Sequence, residues 1–576
     1  MSIQGLARSI AGERTWPLLL DAAVFIAVMA VACAVLMVGH VWLGPVAAHA
    51  EISRSPSALP LYALYSLVRM TVAYVLSMAF AITYGYIAAY NRRVQGIMLA
   101  VLDILQSIPV LSFLPGVMLA MVALFPTRQL GVEIGSVILI FTGQVWNMAF
   151  SFYASLKAIP RELREASRVY RFGWLQRFLQ LELPYATIGL IWNSMVSVAG
   201  GWFFLMACEM FVLGERDFRL PGLGSYLQSA ASAGDMGAIL WGLGAMIAVI
   251  ILIDQLVWRP AIAWAEKFKF EQVESATAPE SLVLNLLRKS PLLRRMHERM
   301  LAPLDEYLCT HTARGGAGAG DAGGLGVGKT VLGVMVAGAC AAAAGFGVFG
   351  AFHTLQGING AEVITTVESA GATFVRVLVS LGIASVWTIP AGVAIGFSPR
   401  LARIAQPVAQ IAASVPATAL FPVVLLALIR MGGGLNTGSI LLMLLGTQWY
   451  ILFNVIAGAT AIPSEFHEVA EIFRFSRLDR WRTVILPGIF PYLITGLVTA
   501  SGGAWNASIV AEYFHFQGKV LSTFGLGAEI SSASDSGNFA VLLLSTIVMA
   551  TLVVSVNRLL WRPLYHLAET RYKLES

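Results

Sequence analysis

One stretch of the 576-residue chain has the spacing of a phosphate cradle. Gly323–Thr330 reads GGLGVGKT, the pattern G-x-x-x-x-G-K-[ST]. The chemistry would be capture of nucleotide phosphates by backbone N–H groups, with Lys329 reaching the terminal phosphates. That chemistry needs a strand before the glycines and a soluble helix after them. Here a Gly/Ala-rich tract, Arg314–Gly328, comes before, and an apolar run of membrane length, Val331–Phe352, comes after. No second acidic nucleotide motif accompanies it. The stretch reads as a flexible linker, with Lys329 anchoring the next helix at the membrane interface. Any ATP hydrolysis must then come from another chain. The eight histidines are scattered, and Cys33, Cys208, Cys309 and Cys340 form no CxxC. Neither a zinc site nor a disulfide framework is implied, and no enzyme chemistry is expected.

The other residues of interest are polar groups inside apolar segments. Ionisable side chains there are costly, so they are functional candidates. Glu209 and Glu512 lie near the ends of matching segments, as do Arg69 and Arg376 near the starts of two others. Each is a candidate outer gate or an anchor: the glutamates by tying neighbouring backbone, the arginines by attracting an anion or fixing a helix at the interface. Uncharged candidates for a translocation path are Gln144, Trp146 and Asn147 opposite Gln448, Trp449 and Tyr450, and Asn193, Ser197 and Trp202 opposite Ser501, Trp505 and Asn506. The competing reading of these is interhelical hydrogen bonding and aromatic packing. Asp103 is a lone carboxylate without an assigned role.

What must position these residues is a set of membrane helices. The chain is 57% hydrophobic and 12% charged, with mean hydropathy +0.75, against about 25% charged residues in soluble domains. Runs such as Trp16–Val38, Val331–Phe352 and Phe539–Val556 match the roughly 20 residues of a spanning helix. The alternation of a membrane barrel is absent. The net charge of +6 is placed in alternate loops, as the positive-inside rule expects, and so does not point to nucleic acid. Arg8 and Arg14 followed by a run too long for a signal peptide predict an uncleaved first helix.

The chain is a tandem duplication. Arg69, Gly85, Ser107, Pro109 and Pro115 recur 307 residues later as Arg376, Gly392, Ser414, Pro416 and Pro422. Ile159-Pro160, Glu165, Leu183-Pro184, Glu209 and Trp258-Arg259-Pro260 recur 303 residues later as Ile462-Pro463, Glu468, Leu486-Pro487, Glu512 and Trp561-Arg562-Pro563. The register changes once, near Thr127–Gly135. The spacing predicts an all-α polytopic membrane protein. Helices are expected near 17–40, 60–90, 97–125, 134–156, 184–212 and 237–260, and near 331–352, 365–397, 403–430, 437–459, 487–514 and 538–560. The first unit covers 1–260 (core 60–260) and the second 331–576 (core 365–565). Residues 261–330 join them, with a basic amphipathic stretch, Leu286–Leu304, suited to headgroups. Basic loops (Arg92-Arg93, Arg161–Arg177, Arg400/Arg403, Arg474–Arg482) give both units one orientation, with both termini cytoplasmic.

One segment occurs twice: AIPRELREASRVYRFGWLQRFLQLELPYATIG from Ala158, and AIPSEFHEVAEIFRFSRLDRWRTVILPGIFPYLITG from Ala461. It resembles the EAA loop of ABC-importer permeases. Glu165-Ala166-Ser167, Gly173 and Leu183-Pro184 carry the likeness in the first copy, and Glu468-Val469-Ala470, Ser476 and Leu486-Pro487 in the second. Ser167, Val469 and Ser476 depart from the family pattern. Ser107-Ile108-Pro109, Ser414-Val415-Pro416 and the Glu-[MY]-Phe of Glu209 and Glu512 look like the nitrate/sulfonate/taurine/bicarbonate-type permeases, in their duplicated branch. The resemblance implies two tandem six-helix type I permease units, about twelve spans related by a parallel pseudo-twofold. It implies a bacterial inner-membrane location, and import of a small anion driven by a separate ABC ATPase dimer that carries ATP and magnesium. It also implies an extracytoplasmic binding protein. This chain itself would bind no cofactor.

The residue types of the loop suit docking. Pro160 and Pro463 can begin a short helix, Glu162, Glu165 and Glu468 favour its N-terminal dipole, and the small residues at 166–167 and 470 would permit close approach of a partner. Gly173 would permit a sharp turn. Amide and hydroxyl donors on the path would hold an anion weakly enough to release it. The rival reading is an ion-gradient transporter of two six-helix halves, which would not need duplicated loops of this kind.

Overall fold

The computed structural model describes residues 51–213, 216–268, 347–516 and 519–571, with a few isolated positions outside those ranges. The expected helix at 17–40, most of that at 331–352, the amphipathic stretch and GGLGVGKT lie outside the described residues, isolated positions apart.

Each half repeats one sequence of elements. In the first, α1 (Leu59–Tyr90) is followed by α2 (Arg92–Ser107), α3 (Leu114–Leu124), α4 (Leu130–Ala158), α5 (Arg161–Val169) and α6 (Leu183–Glu209). A short hairpin, β1 (Val212–Leu213) with β2 (Arg216–Asp217), leads to α7 (Leu223–Ala233), α8 (Met236–Ile253) and α9 (Arg259–Ala265). The second half gives α10 (Gly360–Phe397), α11 (Pro399–Ser414), α12 (Ala417–Arg430), α13 (Leu435–Thr460), α14 (Ser464–Ile472) and α15 (Leu486–Ala511). Hairpin β3 (Tyr513–Phe516) and β4 (Lys519–Ser522), then α16 (Leu526–Ser536), α17 (Phe539–Val556) and α18 (Arg562–Arg571), complete it. Among the described residues eight helical segments are long and apolar enough to cross a membrane, and two bent pairs pass the same test jointly.

The bent pairs correct the sequence reading. Single helices were expected near 97–125 and 403–430. Instead α2 meets α3 at 83°, and α11 meets α12 at 88°. The breaks fall at the two Ser-x-Pro motifs. A residue before proline is pushed out of the helical region, and Ile108 (ψ 126°) and Val415 (ψ 119°) are extended.

Proline also explains the second recurring irregularity. Wide π-turns occur at Phe178–Glu182, Asp254–Trp258, Trp481–Ile485 and Asn557–Trp561. Each ends two residues before a proline: Pro184, Pro260, Pro487 and Pro563. The missing N–H and the ring disrupt the regular ladder one turn back, and widening the helix there re-pairs the backbone. The duplicated Leu-Pro and Trp-Arg-Pro signatures are therefore signatures of this widening.

Polar caps set the remaining ends. Asn91 closes α1 and opens α2, its side chain accepting from the Arg93 N–H. Asp235 and Asn538 cap α8 and α17 in the same way, by accepting from Ala238 and Val541. Gly234 and Gly537, both at φ 70°, end α7 and α16 in the left-handed conformation. These two short helices, and the hairpins before them, were not anticipated from the sequence. At 11 residues each they are too short to stand out as spans, although Leu223, Tyr226, Leu227, Ala230 and Ala231 form a buried stripe on α7.

Within the first half α4 packs between α1 and α6, and within the second α13 packs between α10 and α15. The halves meet where α6 lies against α11 and α12, and where α15 meets the turn at Val110–Phe113. Gln410 donates to Met195 Sδ at 3.5 Å, and Thr546 to the Ser112 carbonyl at 3.0 Å, across this boundary. At one end α7 packs against β3 while α16 packs against β1. Equivalent elements thus cross reciprocally, which requires the two halves to share an orientation.

That end carries a titratable cluster. Asp535 on α16 accepts from the Tyr513 hydroxyl at 2.8 Å and pairs with His515 Nε2 at 2.8 Å. The hydrogen bond to Asp535 holds the His515 imidazole above its usual pKa despite partial burial, and burial and the same carboxylate raise Tyr513. A raised histidine contributes stability that is complete below the unfolded value of about 6.5 and lost as pH rises through the folded one. Thermal unfolding of the purified protein should show this component as a falling Tm above about pH 6.5, and His515→Gln should flatten it. An unchanged profile in the variant would remove the assignment.

Candidate functional site

The two duplicated loops are near-superposable in design. Pro160 and Pro463 stand at the N-caps of α5 and α14, one position before the first helical residue. Glu162 and Glu465 lie in the first turns. Glu165 and Glu468 are exposed. At the far end each helix closes the same way: Phe172 N–H bonds the Ser167 carbonyl and Phe475 N–H the Ala470 carbonyl, both at 2.9 Å. The residue that makes this turn is an arginine in each copy, Arg171 at φ 52° and Arg474 at φ 50°.

Two expectations about these loops are corrected. Gly173 does not supply the turn. Its φ is −63° and ψ 165°, an extended conformation open to any residue, and it serves as the N-cap of the next short helix, Trp174–Arg177. Its counterpart Ser476 does the same with a side chain, accepting from Asp479 N–H at 3.2 Å. The strain sits two residues earlier, at arginines, where a left-handed non-glycine residue costs about 1–3 kcal/mol. The small residues do not all face a partner either. Ser167 and Ala470 are buried against the chain's own spans, and Ser167 donates back to the Arg164 carbonyl at 2.7 Å. Ala166 is half-buried, while Val469 is exposed.

Beside their exposed charges, both loops present apolar side chains outward. Val169 is 78% and Tyr170 75% exposed; Ile472 is 76% and Phe473 70% exposed. Some other exposed apolar side chains, such as Val75 and Val386, lie within spans, where lipid covers them. Val169, Tyr170, Ile472 and Phe473 lie outside the spanning segments. Each loop thus carries an exposed apolar pair at the same place.

At the opposite end the four paired ionisable residues form two buried networks. Arg69 clamps Glu133 with two bonds, Nε to Oε2 at 2.6 Å and Nη2 to Oε1 at 2.8 Å. Its Nη1 donates to Glu209 Oε1 and to the Pro221 carbonyl, each at 2.8 Å. Glu209 also accepts from Ser66 Oγ at 2.7 Å and from Gly224 N–H, in the first turn of α7, at 2.8 Å. In the second half Arg376 donates to Glu512 at 3.0 Å and to the Phe524 carbonyl at 2.7 Å. Glu512 accepts from Thr373 at 2.9 Å and from Gly527 N–H at 2.9 Å. The place of Glu133 is taken by Asn436, which accepts a short hydrogen bond from Thr523. Gly222 and Gly525 are needed for this approach, since a Cβ at either would lie 2.3 or 2.4 Å from a carboxylate atom.

Arg69, Glu133, Glu209 and Glu512 are at most 1% exposed. Arg69 is therefore neither an interfacial anchor nor a free positive charge for an anion: its donors are consumed by two carboxylates and a carbonyl. These groups fasten α7 and α16 to the spans. Glu133 was not singled out from the sequence, because its counterpart is an asparagine and the duplication hid it.

The uncharged candidates divide. Trp146, Asn147, Asn193, Trp449 and Asn506 are half-buried. Gln144, Ser197, Trp202, Gln448, Ser501 and Trp505 are buried. Gln144 donates to Met70 Sδ at 2.9 Å and fills the space over Gly201, where a Cβ would clash with its amide. Trp505 stacks on Phe374, and Ser501 accepts from Trp561 Nε1 at 3.2 Å. Trp146 packs beside Leu102 and Met148, and Trp449 sits edge-on to Trp387. Asn193 and Asn506 donate to carbonyls one turn back on their own helices. Tyr450 reaches the other half: its hydroxyl lies 3.8 Å from where a Cβ on Gly200 of α6 would stand.

The family model described as binding-protein-dependent transport system inner membrane component matches twice, over residues 81–257 and 388–562. The chain is similar to the nitrate import permease protein NrtB of Leptolyngbya laminosa, at 29% identity over 33% of this chain and 64% of that one. It is similar to the taurine transport system permease protein TauC of Escherichia coli, at 30% over 32% and 62%. It is also similar to the bicarbonate transport system permease protein CmpB of Synechococcus elongatus, at 30% over 24% and 49%. The matched region spans just under two thirds of the NrtB and TauC chains, and about half of CmpB.

Proposed function

The chain belongs to the family of binding-protein-dependent transport system inner membrane components, and from that premise we propose that it forms the entire translocation unit of an ATP-driven importer. Its two tandem units act as a pseudodimer, and α5 and α14 dock the two subunits of a separate ABC ATPase. The carrying observation is the matched pair of loop apexes, apolar, exposed and set outside the spans. ATP binding closes the ATPase dimer, draws α5 and α14 together and opens the path outward; hydrolysis resets it. The chain performs no covalent chemistry, and ATP and magnesium belong to the partner. An ion-gradient transporter has no use for two such apexes.

The cargo is a small solute bearing an oxyanion group. Nitrate, taurine and bicarbonate permeases are the relatives, and an oxyanion is what those three cargoes share. Half-buried amides at Asn147, Asn193 and Asn506 are suited to weak, reversible contact with such a group. A binding protein delivers it to the end where α7, α16 and the hairpins cross. The chain resides in the bacterial inner membrane, with the α5 and α14 loops and both termini in the cytoplasm.

Stoichiometry tests the reading. Native mass spectrometry of the complex extracted with its ATPase should give one copy of this chain per two ATPase subunits. Two copies of this chain per ATPase dimer would overturn the pseudodimer.

A further inference from the structure

Behind the first loop lies a cavity of about 70 Å³, bordered by Tyr90, Ile159, Arg164, Arg168, Arg177 and Glu182. Glu182 belongs to the π-turn at the foot of α6 and is 1% exposed. Its Oε1 accepts from the Tyr90 hydroxyl at 2.6 Å and from Arg177 Nε at 2.8 Å. Its Oε2 is buried without a partner, and so is Arg164 Nε. Arg164 spends one amino group on the Leu156 carbonyl at 2.5 Å, which fixes the guanidinium in place. The Arg168 side chain is exposed and makes no hydrogen bond or ion pair among the described residues. One cavity thus carries an unused buried donor, an unused buried acceptor and a spare cation, with three arginines against one carboxylate.

The fold does not require this set. The corresponding positions of the second half are Phe397 for Tyr90, His467 for Arg164, Glu471 for Arg168 and Ile485 for Glu182. The charge is reversed at one position and removed at two, histidine being neutral at pH 7. A structural need of the loop would recur in both copies.

We propose that this cavity binds an oxyanion that carries a proton, of the hydrogencarbonate or hydrogenphosphate kind. Its charged oxygens accept from Arg164 Nε–H and from Arg168, and its O–H donates to Glu182 Oε2. An oxyanion without a proton, such as nitrate, sets a lone pair against that carboxylate oxygen and is rejected. The room available is several times the roughly 10–15 Å³ that one water needs by the same measure. Water alone satisfies the donor and acceptor but leaves the excess positive charge uncompensated. Once bound, the anion ties α5 to the foot of α6 on one side of the molecule only. The site is separate from the path between the halves and does not depend on which anion is carried.

The test is calorimetric titration of the full chain in lipid nanodiscs with bicarbonate, phosphate, nitrate and chloride at constant ionic strength. Bicarbonate or phosphate, whichever is the physiological ligand, should bind at least tenfold more tightly than nitrate or chloride. Arg168→Gln, an exposed change that leaves the fold intact, should weaken that binding at least tenfold, and Arg168→Lys should retain most of it. Glu182→Gln should narrow the gap to nitrate, because an amide N–H replaces the repelling lone pair. Equal binding of nitrate by the native chain, binding indifferent to Arg168→Gln, or no anion binding at all would each overturn the proposal. The first two outcomes point to a site in the path, and the last to a water-filled cavity. ATPase docking measured on the same samples keeps these failures distinct from a failure of the importer reading.

Discussion

Arg69→Met should abolish production of a folded protein, whereas Arg376→Met should only weaken it. Removing Arg69 leaves Glu133 and Glu209 buried, each stripped of its cation. Breaking a buried ion pair by deleting one partner costs about 3–5 kcal/mol, and here two carboxylates are orphaned. Native stabilities are only about 5–15 kcal/mol. Arg376 is 14% exposed, and its removal strands one carboxylate that still accepts from Thr373 and Gly527. Fluorescence-detected size-exclusion of tagged variants reads the difference directly. Wild-type should give a single symmetric peak, Arg376→Met a smaller one with lowered Tm, and Arg69→Met aggregate. Adding Glu133→Gln and Glu209→Gln to Arg69→Met should return part of the peak, since amides tolerate burial better than unpaired carboxylates. A wild-type profile for Arg69→Met alone would show that the network is dispensable and that α7 is held by packing.

That network also marks how far the sequence could be read. Duplication exposed Arg69 and Glu209 as special because their copies, Arg376 and Glu512, are unchanged. It could not pair them, because Arg69 and Glu209 are 140 residues apart and two Cβ positions say nothing about approach. Glu133 escaped notice for the same reason that the others stood out: its copy is Asn436. Hydropathy located the spans well, because about 20 apolar residues leave a helix little choice of environment. It placed single helices across Ser107-Ile108-Pro109 and Ser414-Val415-Pro416, since averaging over a window erases a bend made at one residue. The rule that the residue before proline leaves the helix points to both breaks, but Pro390, Pro407, Pro422 and Pro491 stand inside helices, so the rule alone does not single them out. The uncharged path candidates were the weakest reading. A Gln or Ser on an all-apolar helix shows no polar face, so its direction is set by what packs nearby. For Gln144 that neighbour is Gly201, a residue whose only signal is the space it leaves. The loops were legible in identity but not in mechanics. Glycine at 173 suggested the turn, yet Arg171 and Arg474 make it. A strained arginine at the same place in two copies is difficult to explain by local preference. It is held by the reverse hydrogen bonds that end α5 and α14, and it aims the residues just before it outward.

Those residues carry the second large effect. Tyr170→Asp combined with Phe473→Asp should abolish docking of the ATPase while the membrane part remains folded. Tyr170 and Phe473 occupy the same position in the two loops, directly before the left-handed arginines, and each is at least 70% exposed. Each leans toward a second aromatic ring, Phe172 and Phe475, at 6.4 Å with interplanar angles of 40° in both copies. A rigid aromatic on a fixed knuckle is the typical hot spot of an interface, where truncation costs about 2 kcal/mol or more. Two such losses in one complex weaken it by about a thousandfold at 1.4 kcal/mol per factor of ten. Aspartate adds the cost of burying an unpaired charge. Because the aromatics point away from the spans, neither change removes a contact that holds the fold, so size-exclusion and Tm of the chain alone should be unaffected. Pull-down of the ATPase should fall to background in the double variant, and ATP hydrolysis by the complex should lose its response to cargo. The single variants separate the two loops. Position 469 is an exposed valine in the second loop where the first has a half-buried alanine at 166, so the second offers more apolar surface. Phe473→Asp should therefore be the more damaging single change. Equal residual pull-down by the two single variants would mean that the apex aromatics alone set the affinity. Normal pull-down by the double variant would place the docking surface elsewhere, and the matched exposure of these rings would then need another partner.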